Sequence, residues 1–167
     1  MSHAFRLGIA FTMRQEDSRP DDQVQAVDLG DGAGLTKYGL SQRANPDLDI
    51  ANLTASQAVK IYQKKYWDVL NAENLPLPIA VALFDASVNH GPKTAIRILQ
   101  EAVGVPTDGV IGPITMDAAQ RNPWRLLRKF IARRGVRYAG LDNFSKFGHV
   151  WLERLNESYA YCLALPD

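Results

Sequence analysis

The sequence predicts a mainly α-helical domain with one small β-hairpin near its start, and three observations support that α+β reading. Apolar residues recur at i, i+3 and i+4 along most of the chain, the spacing of helices that bury one face. Helix punctuation stands between these stretches: Thr54-Ala55-Ser56-Gln57 is a capping box, Gly91-Pro92 and Gly104 are stops, and Asn122-Pro123 is a start. One stretch, Gln23 to Leu40, instead alternates around a glycine cluster. With 167 residues, 46% hydrophobic and 22% charged, the chain has the size and apolar content of one domain with its own core.

Taken in order, Ala4 to Gln15 reads as a helix with Phe5, Ile9, Thr12 and Met13 on one face, a face that Glu16 continues. Gln23-Val24-Gln25-Ala26-Val27-Asp28 alternates as a strand does. Gly30-Asp31-Gly32-Ala33-Gly34 then tolerates a reversal, and Leu35 to Leu40 resumes the extended pattern, so a hairpin follows the first helix. The capping box predicts a helix from Ala55 to Val69 with Ala58, Ile61, Tyr62, Tyr66 and Val69 on its buried stripe. After Pro76 and Pro78, the run from Ile79 to Asn89 is apolar nearly all round, which predicts a central helix buried among others. Further helices are predicted over Lys93 to Val103, after Pro113, over Trp124 to Ala139 and over Phe147 to Leu163. No repeat or linker divides them.

Several classes of function are excluded at this level. Cys162 is the only cysteine, His3, His90 and His149 are scattered, and no metal-binding spacing occurs, so no metal and no cofactor is expected. The Gly30–Gly34 cluster has neither the lysine of a P-loop nor the third glycine of a dinucleotide fingerprint. The longest apolar run, Ile79 to Phe84, is far too short to span a bilayer, and the charged N-terminal stretch does not read as a signal peptide. Synthesis in the cytoplasm, with no integral membrane segment, is the expectation. Net charge is +1, yet Arg121 to Arg154 is locally basic. Without a recognised module that basicity predicts no nucleic-acid partner, and the face of Arg125, Arg128, Lys129 and Arg133 reads as solvated helix surface.

Glu16 is the informative residue. A carboxylic acid ending an apolar stripe is expected to lose hydration, which raises its pKa and suits a general acid, whereas a plain helix-terminal Glu would pair with Arg14 or Arg19 at the surface. The hairpin that follows offers Asp28, Asp31 and the Thr36 hydroxyl on a platform able to fold over the helix end.

The chain resembles the glycoside hydrolase family 108 lysozymes. The resemblance rests on the helix ending in Glu16, on Asp31-Gly32-Ala33-Gly34-Leu35-Thr36-Lys37-Tyr38-Gly39-Leu40, and on Ala82-Leu83-Phe84-Asp85-Ala86-Ser87-Val88-Asn89-His90-Gly91. It continues through Asp108-Gly109-Val110-Ile111-Gly112-Pro113-Ile114-Thr115 to Phe147-Gly148, Trp151 and Arg154-Leu155, and so covers nearly the whole chain. Two departures stand out. Glu16-Asp17-Ser18 replaces the usual Glu-Gly-Gly, and the segment from Glu16 to Asp31 is longer than the family pattern, which leaves Asp28 a competitor of Asp31.

The resemblance implies one lysozyme-like domain over residues 1–167, with the catalytic helix, hairpin and following helix in 1–75 and a helical peptidoglycan-binding lobe in 76–167. It implies a muramidase that cleaves the β-1,4 bond between N-acetylmuramic acid and N-acetylglucosamine, with Glu16, Asp31 and Thr36 catalytic. Tyr38, Asn89 and His90 are candidates for substrate contact. Tyr38 beside a hairpin and Asn89 and His90 at a helix end also have ordinary core and capping readings. Peptidoglycan glycan strands are the expected partner of a monomer acting at the bacterial wall or in a phage virion, reached through a holin or a secretion or injection device. The rival readings are a lytic transglycosylase and a non-catalytic peptidoglycan-binding or virion structural protein.

Overall fold

The computed structural model describes residues 1–16 and 21–166. Asp17, Ser18 and Arg19, on which the Glu-Asp-Ser departure and one surface ion-pair reading fall, lie outside the described residues. Helix α1 spans His3–Glu16 and is followed by a 3-10 turn at Asp21–Gln23. Strands β1 (Val27–Asp28), β2 (Leu35–Lys37) and β3 (Leu40–Ser41) come next. The remaining helices are α2 (Ala55–Tyr62), α3 (Leu77–His90), α4 (Pro92–Val103), α5 (Pro113–Gln120), α6 (Pro123–Ala139) and α7 (Phe144–Leu163). The mainly helical architecture predicted from the pattern is the one observed.

Helix α3 organises the core because it has almost no polar face. Every residue from Pro78 to Ser87 is buried, and α1, α4, α6 and α7 all pack against it. Pro78 sits in the first turn, where a missing N–H costs nothing, and Gly91 closes the helix with φ 81°. Phe84 stands at the crossing with α1, its ring 5.4 Å from Phe5 and 5.7 Å from Trp67 in edge-on contacts. The two helices approach closely there because Gly8 has no side chain. A Cβ at that position would lie 2.9 Å from Phe84 Cδ1.

Three elements differ from the sequence expectations. The hairpin is a three-stranded antiparallel sheet in the order β1-β2-β3, with Val27 opposite Thr36 and Lys37 opposite Leu40. The expected first strand, Gln23 to Asp28, is reduced to two residues after the 3-10 turn. The added strand arises because Tyr38 (φ 52°) and Gly39 (φ 73°) form a two-residue reversal with both φ positive, the geometry that matches strand twist. The capping box at Thr54 is present, with Thr54 accepting from the Gln57 N–H and the Gln57 side chain accepting from the Thr54 N–H. The expected Ala55–Val69 helix does not continue as an α-helix, however. Gln63–Trp67 is a π-helical turn in which the Asp68 N–H donates to the Gln63 carbonyl at 2.9 Å. The extra residue in that turn rotates the register, so Trp67 is buried and Val69 is left 54% exposed. Finally, α7 begins at Phe144 rather than Phe147, an extra turn that carries one more aromatic residue.

Gly8→Ala tests the α1–α3 crossing. Alanine gains up to about 1 kcal/mol of helix propensity, but forcing a methyl group against a fixed ring costs about 1–3 kcal/mol. Chemical denaturation is therefore expected to show a net loss of stability, and Phe84→Leu in the same chain is expected to recover part of it.

Candidate active site

Helix α1 delivers Glu16 to the meeting point of the small sheet, α3 and α7. Arg154 Nη1, from the middle of α7, donates to Glu16 Oε1 at 2.8 Å. The same guanidinium donates through Nε (3.0 Å) and Nη2 (2.8 Å) to Asp85 Oδ1 on α3. The other Asp85 oxygen, Oδ2, accepts from Arg134 Nη2 of α6 at 2.8 Å. Asp85 is thus a buried anion between two arginines, and Arg154 bridges it to Glu16. Burial alone would push the Asp85 carboxyl up, but the two guanidinium groups outweigh it and hold the group below the ordinary carboxylate range. Arg154 is driven the other way: burial opposes its charge, yet Asp85 and Glu16 together raise its pKa further.

The second Glu16 oxygen faces the β2–β3 reversal. A Cβ on Gly39 would lie 2.6 Å from Glu16 Oε2 and 2.6 Å from the Tyr62 hydroxyl. That exposed backbone position is open only because it carries no side chain. Tyr62 donates to the Tyr38 carbonyl at 2.9 Å, tying the turn to α2. Burial, reinforced by the Glu16 charge, pushes the Tyr62 phenol well above its usual value, so Tyr62 is a neutral donor at working pH. The Glu16 side chain is 21% exposed. The expected apolar setting is therefore corrected: the carboxyl has a cation on one side and an open backbone turn on the other.

The residues singled out from sequence separate into three groups. Thr36 lies half-buried on β2 opposite Ser41, two residues before the Tyr38–Gly39 reversal that meets Glu16. Asp31 and Asp28 are both exposed, and each caps its own turn: Asp31 Oδ1 accepts from the Ala33 N–H at 2.8 Å and Asp28 Oδ1 from the Gly30 N–H at 2.9 Å. Tyr38 is 5% exposed and belongs to the main core, which corrects its reading as a sugar-stacking ring. Asn89 and His90 end α3 beside the ion network. Asn89 Nδ2 donates to the Asp85 carbonyl at 2.7 Å, its Oδ1 accepts from the Tyr138 hydroxyl at 3.3 Å, and the His90 ring lies 4.7 Å from that of Tyr138. Burial, then the charges of Arg134 and Arg137, lower the His90 pKa to about 3, so His90 is neutral under working conditions.

Sequence reading missed Asp85, Arg134, Arg154 and Tyr62 as members of the site. A legible signal existed for two of them: an aspartate inside the otherwise apolar α3, and an arginine on the buried face of α6. Among the described residues no group of His, Cys, Asp and Glu is placed to hold a metal ion, and no helix is long and apolar enough to cross a membrane.

A helical bundle with a small sheet at one end, bringing a glutamate from the first helix to an arginine of the last, defines a glycoside hydrolase of the lysozyme-like type. The sequence model of the glycosyl hydrolase 108 family matches residues 24–91, from the strand region to the end of α3. Glu16 precedes that segment. The solved structure of SagA from Brucella abortus is similar along nearly the full length, with 28% identity, 96% of this chain and 94% of the other covered, and a TM-score of 0.82. No curated protein matches the sequence.

Asp85→Asn is expected to destabilise the fold by about 3–5 kcal/mol, because it leaves the buried Arg134 without its anion and removes one of the two carboxylates of the partly buried Arg154. The lowered pKa of Asp85 also fixes the sign of a pH effect. Its contribution is fully present above the unfolded-state pKa of about 3.9 and is lost as pH falls through the lower folded value. Wild-type stability measured by denaturant is therefore expected to fall below about pH 4, and the Asn variant to show a flatter acid limb.

Proposed function

We propose that the protein is a muramidase that hydrolyses the β-1,4 bond between N-acetylmuramic acid and N-acetylglucosamine in peptidoglycan. One observation carries the reading: the Glu16 carboxyl is fixed through Oε1 by Arg154, while Oε2 faces the space left by Gly39. A fixed carboxyl with one oxygen aimed at an opening is the geometry a general acid needs. In the reaction Glu16 protonates the leaving glycosidic oxygen as the C–O bond breaks and the sugar gains oxocarbenium character. A carboxylate of the β1–β2 segment, Asp31 with Asp28 as its rival, stabilises that charge or takes a proton from the attacking water, whose oxygen bonds to the anomeric carbon. Thr36 positions the water or the sugar. In this reading residues 76–167 contribute the binding lobe, including Asn89 and His90 at the end of α3.

A lytic transglycosylase is the second reading, and the position of the two aspartates favours it. Both are exposed and engaged in capping their own turns, which suits a mechanism using Glu16 alone as acid and then base, with a substrate hydroxyl as nucleophile.

Mass spectrometry of products released from purified peptidoglycan tests both. Muramidase action yields reducing muramic ends, transglycosylation yields anhydro ends, and binding without release contradicts both readings. Glu16→Gln is expected to fold and to lose on the order of a hundredfold to ten-thousandfold in rate. A Gln variant with near wild-type turnover would falsify the role of Glu16. Gly39→Ala is expected to lose most activity as well, because its methyl group fills the space before Oε2. It also strains a left-handed backbone by about 1–2 kcal/mol, a cost too small to unfold the domain, so circular dichroism separates the two effects.

A further inference from the structure

Four aromatic residues, Tyr138, Phe144, Phe147 and Trp151, lie together outside the main core, on the α6–α7 side of the ion network. Trp151 stacks on Tyr138 with ring centroids 4.9 Å apart and planes 21° from parallel, and Phe147 lies 6.0 Å from Trp151. The cluster opens outward: Tyr138 is 3% exposed, Trp151 is half-buried and Phe147 is 38% exposed. Anchoring α6 to α7 requires only the inner rings, so the exposed area of Phe147 and Trp151 is surplus to packing.

The cluster is continuous with the candidate active site. Phe147, Trp151 and Arg154 follow the i, i+4, i+7 spacing of one helix face, and Arg154 is the residue that grips Glu16. Along α7 the distance from Phe147 to Arg154 is about 10 Å, on the scale of a disaccharide. A polar border is present as well. Asn89 meets Tyr138, His90 lies against it, and Lys146 Nζ stands 4.9 Å from the Phe147 ring centroid. Flat apolar rings edged by amide and imidazole groups, with an ammonium over one face of Phe147, match a pyranose, which has an apolar C–H face and a rim of hydroxyl and acetamido groups.

We propose that Phe147 and Trp151 form a sugar-stacking subsite for the glycan strand, extending the site away from Glu16 along α7. The assignment rests on the glycan-hydrolase reading, and the occupant is an uncharged run of N-acetylhexosamine rings. The test uses the full-length Glu16→Gln protein, which holds substrate without cleaving it, titrated with an N-acetylglucosamine hexamer by calorimetry. The indole N–H resonances of the three tryptophans are followed in parallel by NMR. The hexamer is expected to shift the Trp151 resonance and to leave that of Trp124, at the far end of α6, unmoved. Phe147→Ala and Trp151→Leu are each expected to weaken binding roughly five- to tenfold, the range of a lost aromatic contact of about 1–1.4 kcal/mol, while Trp124→Ala changes nothing. Because Phe147 is exposed, its Ala variant decides the matter even if the Trp151 variant fails to fold. Hexamer binding of equal strength in the Phe147 variant, with no Trp151 shift, overturns the subsite and leaves the hydrolase reading intact. No hexamer binding by any form, including the parent, overturns the subsite together with the glycan reading.

Discussion

Everything near Glu16 depends on one buried anion, Asp85. It sits on the most apolar helix of the protein, and a carboxylate there is tolerable only because Arg134 and Arg154 reach it from two other helices. Isolated, such a charge would cost several kcal/mol. Paired, it fixes where α6 and α7 sit against α3. Arg154 then turns its remaining nitrogen, Nη1, away from Asp85, and an N–H on it grips Glu16. The position of the catalytic candidate at the end of the first helix is therefore set by the last helix, through a residue of the central one. A second tie between the chain ends, from the Tyr161 hydroxyl to the Leu7 carbonyl at 3.0 Å, keeps α1 and α7 in register.

This arrangement gives the two Glu16 oxygens different tasks. Oε1 is committed to Arg154 and fixes the plane of the carboxyl. Oε2 meets a turn whose glycine leaves room and whose neighbour Tyr62, kept neutral by burial and by the glutamate itself, spends its one O–H on the Tyr38 carbonyl and has no charge to compete. In the proposed reaction such orientation would cost nothing further, because folding has already supplied it. The small sheet contributes little to the core. Its weight lies in bringing the Tyr38–Gly39 reversal to the end of α1.

Much of the helical framework was legible because its signals are local. The Thr54 capping box, the Gly91-Pro92 stop and the all-apolar Ile79–Phe84 run each specify structure within a few residues, and each is observed as read. The third strand was not legible, because its turn uses Tyr38 with positive φ in place of a recognisable Asn-Gly or Asp-Gly pair. The π-helical turn was hidden for a related reason: its sequence, Gln63 to Trp67, fits an α-helix equally well, and tertiary packing of Trp67 selects the wider turn. For the site, Glu16 was readable from helical spacing. Its partners were not, since Arg154 is 138 residues from Glu16 and 69 from Asp85, and no periodicity spans such separations. Asp85 on an apolar helix is the exception, a buried charge that signals a partner without naming it.

The most direct test of this account is a double-mutant cycle on kcat/KM with Asp85→Asn, Arg154→Gln and the double variant, measured on peptidoglycan under conditions where all three remain folded. If Asp85 acts on catalysis by holding Arg154, and Arg154 by holding Glu16, the double variant is expected to lose no more than the worse single variant, since the first change already releases the unit. Losses that multiply, each residue contributing independently of the other, would contradict the account.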